Sequence, residues 1–486
     1  MTFADPPAHD AEPYDVAVIG AGVVGCAVAR ELSIRGARAV LIEARNDVGD
    51  ATSKANTAIL HTGFDAKPGT LESRLVARGY TLLSEYAVRA GIPVEVPGAL
   101  LIAWDQEQLD ELPVLAARAE ANGYHRTRPI GADELYAREP HLGPGALGAL
   151  EVPDEGIICP WTTSLAFATE AVRHGAVLRL DSPVTAVTVG DNVTVVETAT
   201  GPVATRIVIN AAGLGSDLVH AMFGLDGFTI TPRRGELIVF DKLARPLVSH
   251  VLLPVPTKMG KGVLVAPTVY GNVMLGPTSE NLDDRTATGS SEDGLAFLQH
   301  HGRRIMPDLL AEEATTIYAG LRAASEHDDY QIGVYPQLRY ACAGGIRSTG
   351  LTSSLAIAEY LAEAITDVLG LPLKPMAHPE ADPHPPHMPN IGEATVRPYA
   401  DAARIAANPE YGEIVCFCER TTLGEIRDAM RSDVPPRTVE GLRRRTRATM
   451  GRCQGFFCGA TIRQLLDAPD PSTAAAPTTR HNEGAK

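Results

Sequence analysis

Residues 14–44 read YDVAVIGAGVVGCAVARELSIRGARAVLIEA. A short β-branched run meets a glycine cluster, then small residues at helical spacing, then a second apolar run. That succession is a βαβ unit, and it commits the chain to a mostly parallel α/β sheet flanked by helices. Gly20, Gly22 and Gly25 form a G-x-G-x-x-G turn, with Ala21 and Val24 between them. The first glycine permits the tight turn, the second lets a pyrophosphate approach the backbone, and the third lets helix pack on strand. The helix N-terminus then offers partial positive charge to the phosphates. Glu43 ends the second strand about 20 residues on, where a carboxylate accepts hydrogen bonds from ribose hydroxyls. Cys26, among Ala and Val on that helix, reads as a small buried hydrophobe.

The stretch after Glu43, ARNDVGDATSKANTAILHTGFD, places Thr52 and Ser53 to reach a pyrophosphate and turns His61 towards the middle of a long cofactor. Much later, RIVINAAGLGSD (206–217) reads as a strand entering a turn at Ala212 and Gly213. GGIRSTGLTSSLAIAEYLAEAI reads as a glycine-rich loop at Gly345 feeding a long helix near Gly350, Leu351 and Thr352. Three separated glycine-rich contacts to one extended ligand suit FAD, and the second helix N-terminus sets positive charge beside the flavin N1 and C2 carbonyl.

These motifs, with GLRAAS, resemble the FAD-dependent oxidoreductases of the D-amino acid oxidase superfamily over roughly residues 14 to 370. Within it the chain is most similar to glycerol-3-phosphate dehydrogenase A subunits and to L-2-hydroxyglutarate oxidases. The resemblance implies a Rossmann-like FAD-binding domain interleaved with a β-sheet substrate domain. It places Val184 against the adenine side, and Arg322 and Arg347 over the flavin to hold an acidic substrate. An always-charged planar fork suits a phosphate or carboxylate. Lys54, Lys258 and Lys261 are further anion contacts, with solvated surface lysines as the competing reading. Oxidising a secondary alcohol needs a proton acceptor beside the hydride donor, and His61 is the residue expected to act as base or to pack on the ring. The expected reaction is sn-glycerol 3-phosphate to dihydroxyacetone phosphate. L-2-hydroxyglutarate, an opine or an amino acid is the alternative substrate, and a non-catalytic redox or zinc-stabilised assembly subunit is the alternative of another class.

The strand-like stretch from about Gly91 to Trp104, GELIVF, and the hairpin VLVAPTVYGNVMLGPT are expected in the substrate sheet, whereas DQEQLDELPVLAARAEANGY and ICPWTTSLAFATEAVRHGAVL carry helical spacing.

Near the C-terminus stand EIVCFCER and TMGRCQGFFCG. Cys416, Cys418, Cys453 and Cys458, as C-x-C then C-x4-C, suit zinc or an iron–sulfur cluster. The segment resembles the [2Fe-2S] domain of the bacterioferritin-associated ferredoxin family, which also ends glycerol-3-phosphate dehydrogenase A subunits. The resemblance implies a [2Fe-2S] centre that carries electrons to an acceptor subunit or quinone pool. Residues 431–452 hold seven arginines against Asp433 and Glu440 in a chain of net charge −16. Such a patch would offset an anionic cluster or dock an acidic partner.

The overall negative charge disfavours nucleic acid as a partner. The acidic, Pro-containing first residues are no signal peptide, and no apolar run reaches membrane-spanning length. A cytoplasmic protein is expected, in contact with the inner face of the cell membrane at most. In reducing conditions clustered cysteines are metal ligands or redox groups rather than disulfides. The expected organisation is a disordered 1–13, an oxidoreductase unit over 14–370, a Pro/His-rich linker over 371–408, a [2Fe-2S] domain over 409–468 and a disordered tail over 469–486. His378, His384 and His387 lie in that linker, whose prolines account for it as a semi-rigid spacer without a metal.

Overall fold

The computed structural model describes residues 12–256, 262–375 and 386–468. The βαβ unit forms as its pattern requires: strand Tyr14–Ile19, helix Val23–Ile34 and strand Ala39–Ile42. Tyr14–Ile19 lies between Ala39–Ile42 and Val203–Asn210, all parallel, with Val177–Arg179 beyond the former. Strand Tyr340–Gly344 runs parallel to the C-terminal half of Val203–Asn210, whereas the N-terminal half pairs antiparallel with Thr194–Thr198. The eight-stranded sheet draws on three separated parts of the chain. The central strands are apolar at nearly every position because helices cover both faces.

A second, nine-stranded sheet is built from residues 99–152 and 231–324, so the two units interleave. Strand Thr231–Phe240 is its backbone, pairing along its length with Ala314–Ala324 and at its end with Val273–Gly276. Leu264–Pro267 and Val273–Gly276 form the hairpin read from the sequence. The helical spacing noted above becomes Gln106–Ala121 and Pro160–Arg173. The architecture is α/β, with a Rossmann-like FAD-type sheet interleaved with a substrate sheet.

The C-terminal unit has a small core of its own around Cys416, Ile426, Leu442, Cys458 and Ile462. A ribbon of Ile414–Cys416 and Thr421–Thr422 leads into helix Leu423–Met430, whose first turn is fixed by a capping box between Thr422 and Glu425. Helices Val439–Thr446 and Gly459–Asp467 complete it. The end of the segment read as a spacer is packed: Met388 and Ile391 enter the main core, and Arg397 is buried against Glu425. His378 and His384 lie outside the described residues, and the ring of His387 rests beside Gly91. Among the described residues no helix is long and apolar enough to cross a membrane.

Candidate active site and cysteine centre

The nucleotide cradle is dictated by close backbone contacts. A Cβ on Gly25 would stand 1.8 Å from the Gly20 carbonyl oxygen, so helix Val23–Ile34 sits as near its strand as it does only because residue 25 is glycine. The N-cap residue of this helix, Gly22, offers no side-chain cap, Ser53 Oγ takes the Val23 N–H, and the Gly22 side is otherwise open. Uncapped N–H groups beside a clear approach are what a pyrophosphate needs. Glu43 accepts the N–H of Ala21 (2.7 Å) and of Arg45 (2.9 Å); burial raises its carboxyl above the usual value against these bonds. Ser53 Oγ accepts the Val23 N–H at 2.9 Å, and Thr52 Oγ1 donates to the Leu321 carbonyl, tying this loop to the substrate sheet. Ala212 and Gly213 follow strand Val203–Asn210, and Val184 opens its own strand at the sheet's far edge. Gly345 adopts φ +62°, turning the chain towards helix Gly350–Leu369, whose N-terminus is also without a side-chain cap. Leu351 and Thr352 are in its first turn, and the His61 N–H donates to Thr352 Oγ1 (3.0 Å). The residues present therefore fit an extended dinucleotide running from Glu43 to Thr352.

His61 follows strand Ile59–Leu60, which pairs antiparallel with Gly156–Ile158 in the register Leu60↔Gly156. That register sets the next residues side by side. His61 Nδ1 lies 3.1 Å from Glu155 Oε2, while Glu155 Oε1 accepts the N–H and hydroxyl of Thr62, both at 2.7 Å. An acceptor-only carboxylate holds the proton on Nδ1 and the basic lone pair on Nε2. Sequence reasoning missed Glu155, which sits in a plain turn, VPDEG.

Arg322 is on strand Ala314–Ala324, directly across from Arg233 on Thr231–Phe240. Burial, then Arg233, draw the Arg322 guanidinium below its usual value, and no described carboxylate counters them. Facing like charges on a sheet are destabilising unless an anion joins them. Arg347 is differently engaged, paired with Glu72 at 3.2 Å and donating to the Asp328 carbonyl. Lys54 pairs with Asp50 at 2.8 Å, and its carbonyl accepts the Trp161 indole N–H. Lys258 and Lys261 lie outside the described residues.

The four cysteines come together as two facing pairs, Cys416 with Cys458 and Cys418 with Cys453. Among the described residues no three metal-ligating side chains close on one ion position. Two thiolates for each of two irons fit this donor set better than one tetrahedral zinc. The backbone N–H of Phe457, aided by those of Gly455 and Phe456, holds the Cys453 thiol below its ordinary value. Burial, then Cys416, push Cys458 up to about 12.

The basic helix reaches inward rather than towards the cysteines. Arg444 and Arg445 converge on Asp47, with Arg444 Nη2 at 2.6 Å from Oδ2 and Arg445 Nη2 at 2.8 Å from Oδ1. Arg444 also pairs with Asp50 at 2.7 Å. Arg447 pairs with Glu419, donates to Asn272 Oδ1 and lies 4.3 Å above the Tyr270 ring. The acidic partners of Arg444 and Arg445 are in the chain's own nucleotide-binding loop.

A family model described as FAD dependent oxidoreductase matches residues 15–364. The chain belongs to that family. A second model, the BFD-like [2Fe-2S] binding domain, matches residues 414–468 of this oxidoreductase, so the protein is a flavoprotein with a C-terminal [2Fe-2S]-binding unit. Over 455 residues it is 36% identical to a glycerol 3-phosphate dehydrogenase of Caloramator mitchellensis, covering 93% of this chain and 94% of the relative. It is 26% identical to one subunit of the anaerobic glycerol-3-phosphate dehydrogenase of Escherichia coli K12, covering 96% and 90%. A dithionite-reduced, FAD-bound L-α-glycerophosphate oxidase from Mycoplasma pneumoniae superposes with a TM-score of 0.70 at 28% identity, over 75% of this chain and 96% of the other.

Proposed function

We propose that this FAD-dependent oxidoreductase converts sn-glycerol 3-phosphate to dihydroxyacetone phosphate and sends the electrons out through its C-terminal centre to an acceptor subunit or quinone pool. The observation that carries the reading is the facing pair Arg233 and Arg322, of which Arg322 is desolvated and has no described carboxylate beside it. A phosphate there would relieve the repulsion and be held in one orientation. Bound FAD would accept the C2 hydride. The chain's own part is to place the substrate and take its hydroxyl proton. His61, oriented by Glu155, accepts that proton at Nε2. Arg347, paired with Glu72, follows the glycine-rich turn at Gly345 and would be a second anion contact. The cradle of Gly20, Gly22, Gly25, Glu43, Thr52 and Ser53 holds the dinucleotide. The relatives named for glycerol 3-phosphate support the substrate, and two of them are dehydrogenases. Phe417, Phe456 and Phe457, 74%, 84% and 73% exposed among the cysteines, supply the apolar surface that a protein acceptor would cover.

The test mixes anaerobic holoenzyme with glycerol 3-phosphate, L-2-hydroxyglutarate and an opine panel and follows flavin absorbance. Glycerol 3-phosphate is expected to bleach it. Bleaching by another compound while glycerol 3-phosphate leaves it oxidised would overturn the reading.

A further inference from the structure

The two cysteine pairs are not equivalent. Cys416 and Cys458 are 1% and 2% exposed and belong to the small core with Ile426, Leu442 and Ile462, whereas Cys418 and Cys453 are only half-buried. The chain builds this difference in. Cys416 ends strand Ile414–Cys416, and Cys458 is the N-cap of helix Gly459–Asp467, so each is anchored to an element of that core. Cys418 and Cys453 stand in turns. A Cβ on Gly451 would fall 2.3 Å from the Cys418 Cβ, so the turn that carries Cys453 lies directly against Cys418. The outer pair is therefore assembled by two loops in contact.

Hydrogen bonding separates the pairs in the same direction. The sulfur of Cys453 accepts the backbone N–H groups of Phe457, Gly455 and Phe456, and the sulfur of Cys418 accepts that of Cys453. Cys458 accepts the N–H of Thr449. Glu419, next to Cys418 in the chain, brings no uncompensated charge, because Arg447 at 2.8 Å and Lys242 at 3.1 Å answer it. Hydrogen bonds to sulfur and solvent exposure both raise the reduction potential of an iron–sulfur centre, since each stabilises the added negative charge. Apolar burial opposes that charge. A [2Fe-2S] centre accepts one electron, and this donor set offers it two unlike ends.

We propose that Cys418 and Cys453 hold the iron on which the transferred electron rests, while Cys416 and Cys458 hold an iron that stays ferric. The step is one electron from a reductant to the outer iron, ferric to ferrous, with no bond made or broken and no proton taken up. It rests on the exit route proposed above and deepens it, fixing which end of the centre is charged when an acceptor arrives. The exposed Phe417, Phe456 and Phe457 lie in the same turns as that outer pair. With dithionite as reductant the localisation is tested apart from the substrate, so a protein that fails to oxidise glycerol 3-phosphate can still pass.

The experiment takes full-length protein loaded with FAD and iron-57, reduces it with dithionite, and reads Mössbauer spectra together with the midpoint of the centre. The parent should show one ferric and one ferrous site. Serine oxygen is a harder donor than thiolate and favours the ferric state. Cys418→Ser should therefore change the ferrous signal and lower the reduction equilibrium by about tenfold, which is about 59 mV for one electron. Cys416→Ser should change the ferric signal and move the equilibrium by less than about threefold. Phe457→Pro keeps all four sulfurs and deletes one donor to Cys453; it should lower the equilibrium by about threefold to tenfold, and with the parent spectrum it decides the matter if a serine variant holds no iron. A ferrous signal altered by Cys416→Ser and untouched by Cys418→Ser would overturn the proposal. Two equivalent irons in the reduced parent, or an equilibrium indifferent to Phe457→Pro, would end it as well.

Discussion

Asp47→Ala should release the C-terminal unit from the nucleotide-binding loop. Asp47 accepts one bond from Arg444 and two from Arg445, and all three side chains are almost fully buried. Removing one member of a buried ion pair usually costs about 3–5 kcal/mol, because the remaining charge stays desolvated. Here the lower figure applies. Arg444 keeps Asp50, and Arg445 keeps the Val434 and Gly441 carbonyls. A loss of about 3 kcal/mol shifts the docked-to-released ratio by roughly 10²-fold. The assay is amide hydrogen exchange on the FAD- and iron-loaded protein, read at helix Val439–Thr446 and at residues 47–53. Both should lose protection by about that factor, while the far sheet edge at Arg128–Gly131 is unchanged. Protection within about twofold of the parent at both places would refute the reasoning, since a buried pair of this kind cannot be removed at no cost.

The same pair fixes the response to acid. Burial alone would raise the Asp47 carboxyl, but Arg445 and then Arg444 overcome it and leave it below the usual value. A carboxylate depressed in the folded state contributes stability that is fully present above its unfolded pKa, about 3.9, and is lost as pH falls through the folded value. Docking should therefore persist through pH 5 and fail only below about 4. Release near neutrality would show that other groups govern it.

Gly25→Ala should abolish flavin retention, since the added Cβ would fall 1.8 Å from the Gly20 carbonyl oxygen; a purified variant with full flavin content would contradict the close-approach argument. Glu155→Gln should slow anaerobic flavin bleaching by about 10²-fold with FAD content and substrate KM little changed, because it frees the His61 tautomer. Arg233→Leu should raise KM for the phosphate substrate by about 10- to 100-fold, the value of a charge-assisted hydrogen bond, and move kcat far less. Cys453→Ser should leave bleaching by substrate intact and remove turnover with the external acceptor, and unchanged turnover would exclude the centre from the electron path.

What could be read from the chain, and what could not, divides on whether a signal is local. The βαβ turn announces itself because glycine spacing, strand and helix all fall within residues 14–44. The cysteine segments do so for the same reason. His61 stands out in the local stretch HTGF, but Glu155, which gives it a defined tautomer, does not. Their meeting depends on the register Leu60↔Gly156 between short strands nearly a hundred residues apart. Arg233 likewise became meaningful only when strand pairing set it opposite Arg322. The arginines of 443–447 show the converse: their local density suggested a cationic shell for the cluster or an external acidic partner. Three of them are instead committed to Asp47, Asp50 and Glu419. The buried guanidiniums of Arg444 and Arg445, on carboxylates of the nucleotide-binding loop, tie the C-terminal unit to that loop. The cost of burying them is offset only by complete pairing. Hence the [2Fe-2S]-binding unit is held as part of the oxidoreductase body, and the buried arginines Arg444 and Arg445 measure how tightly it is held.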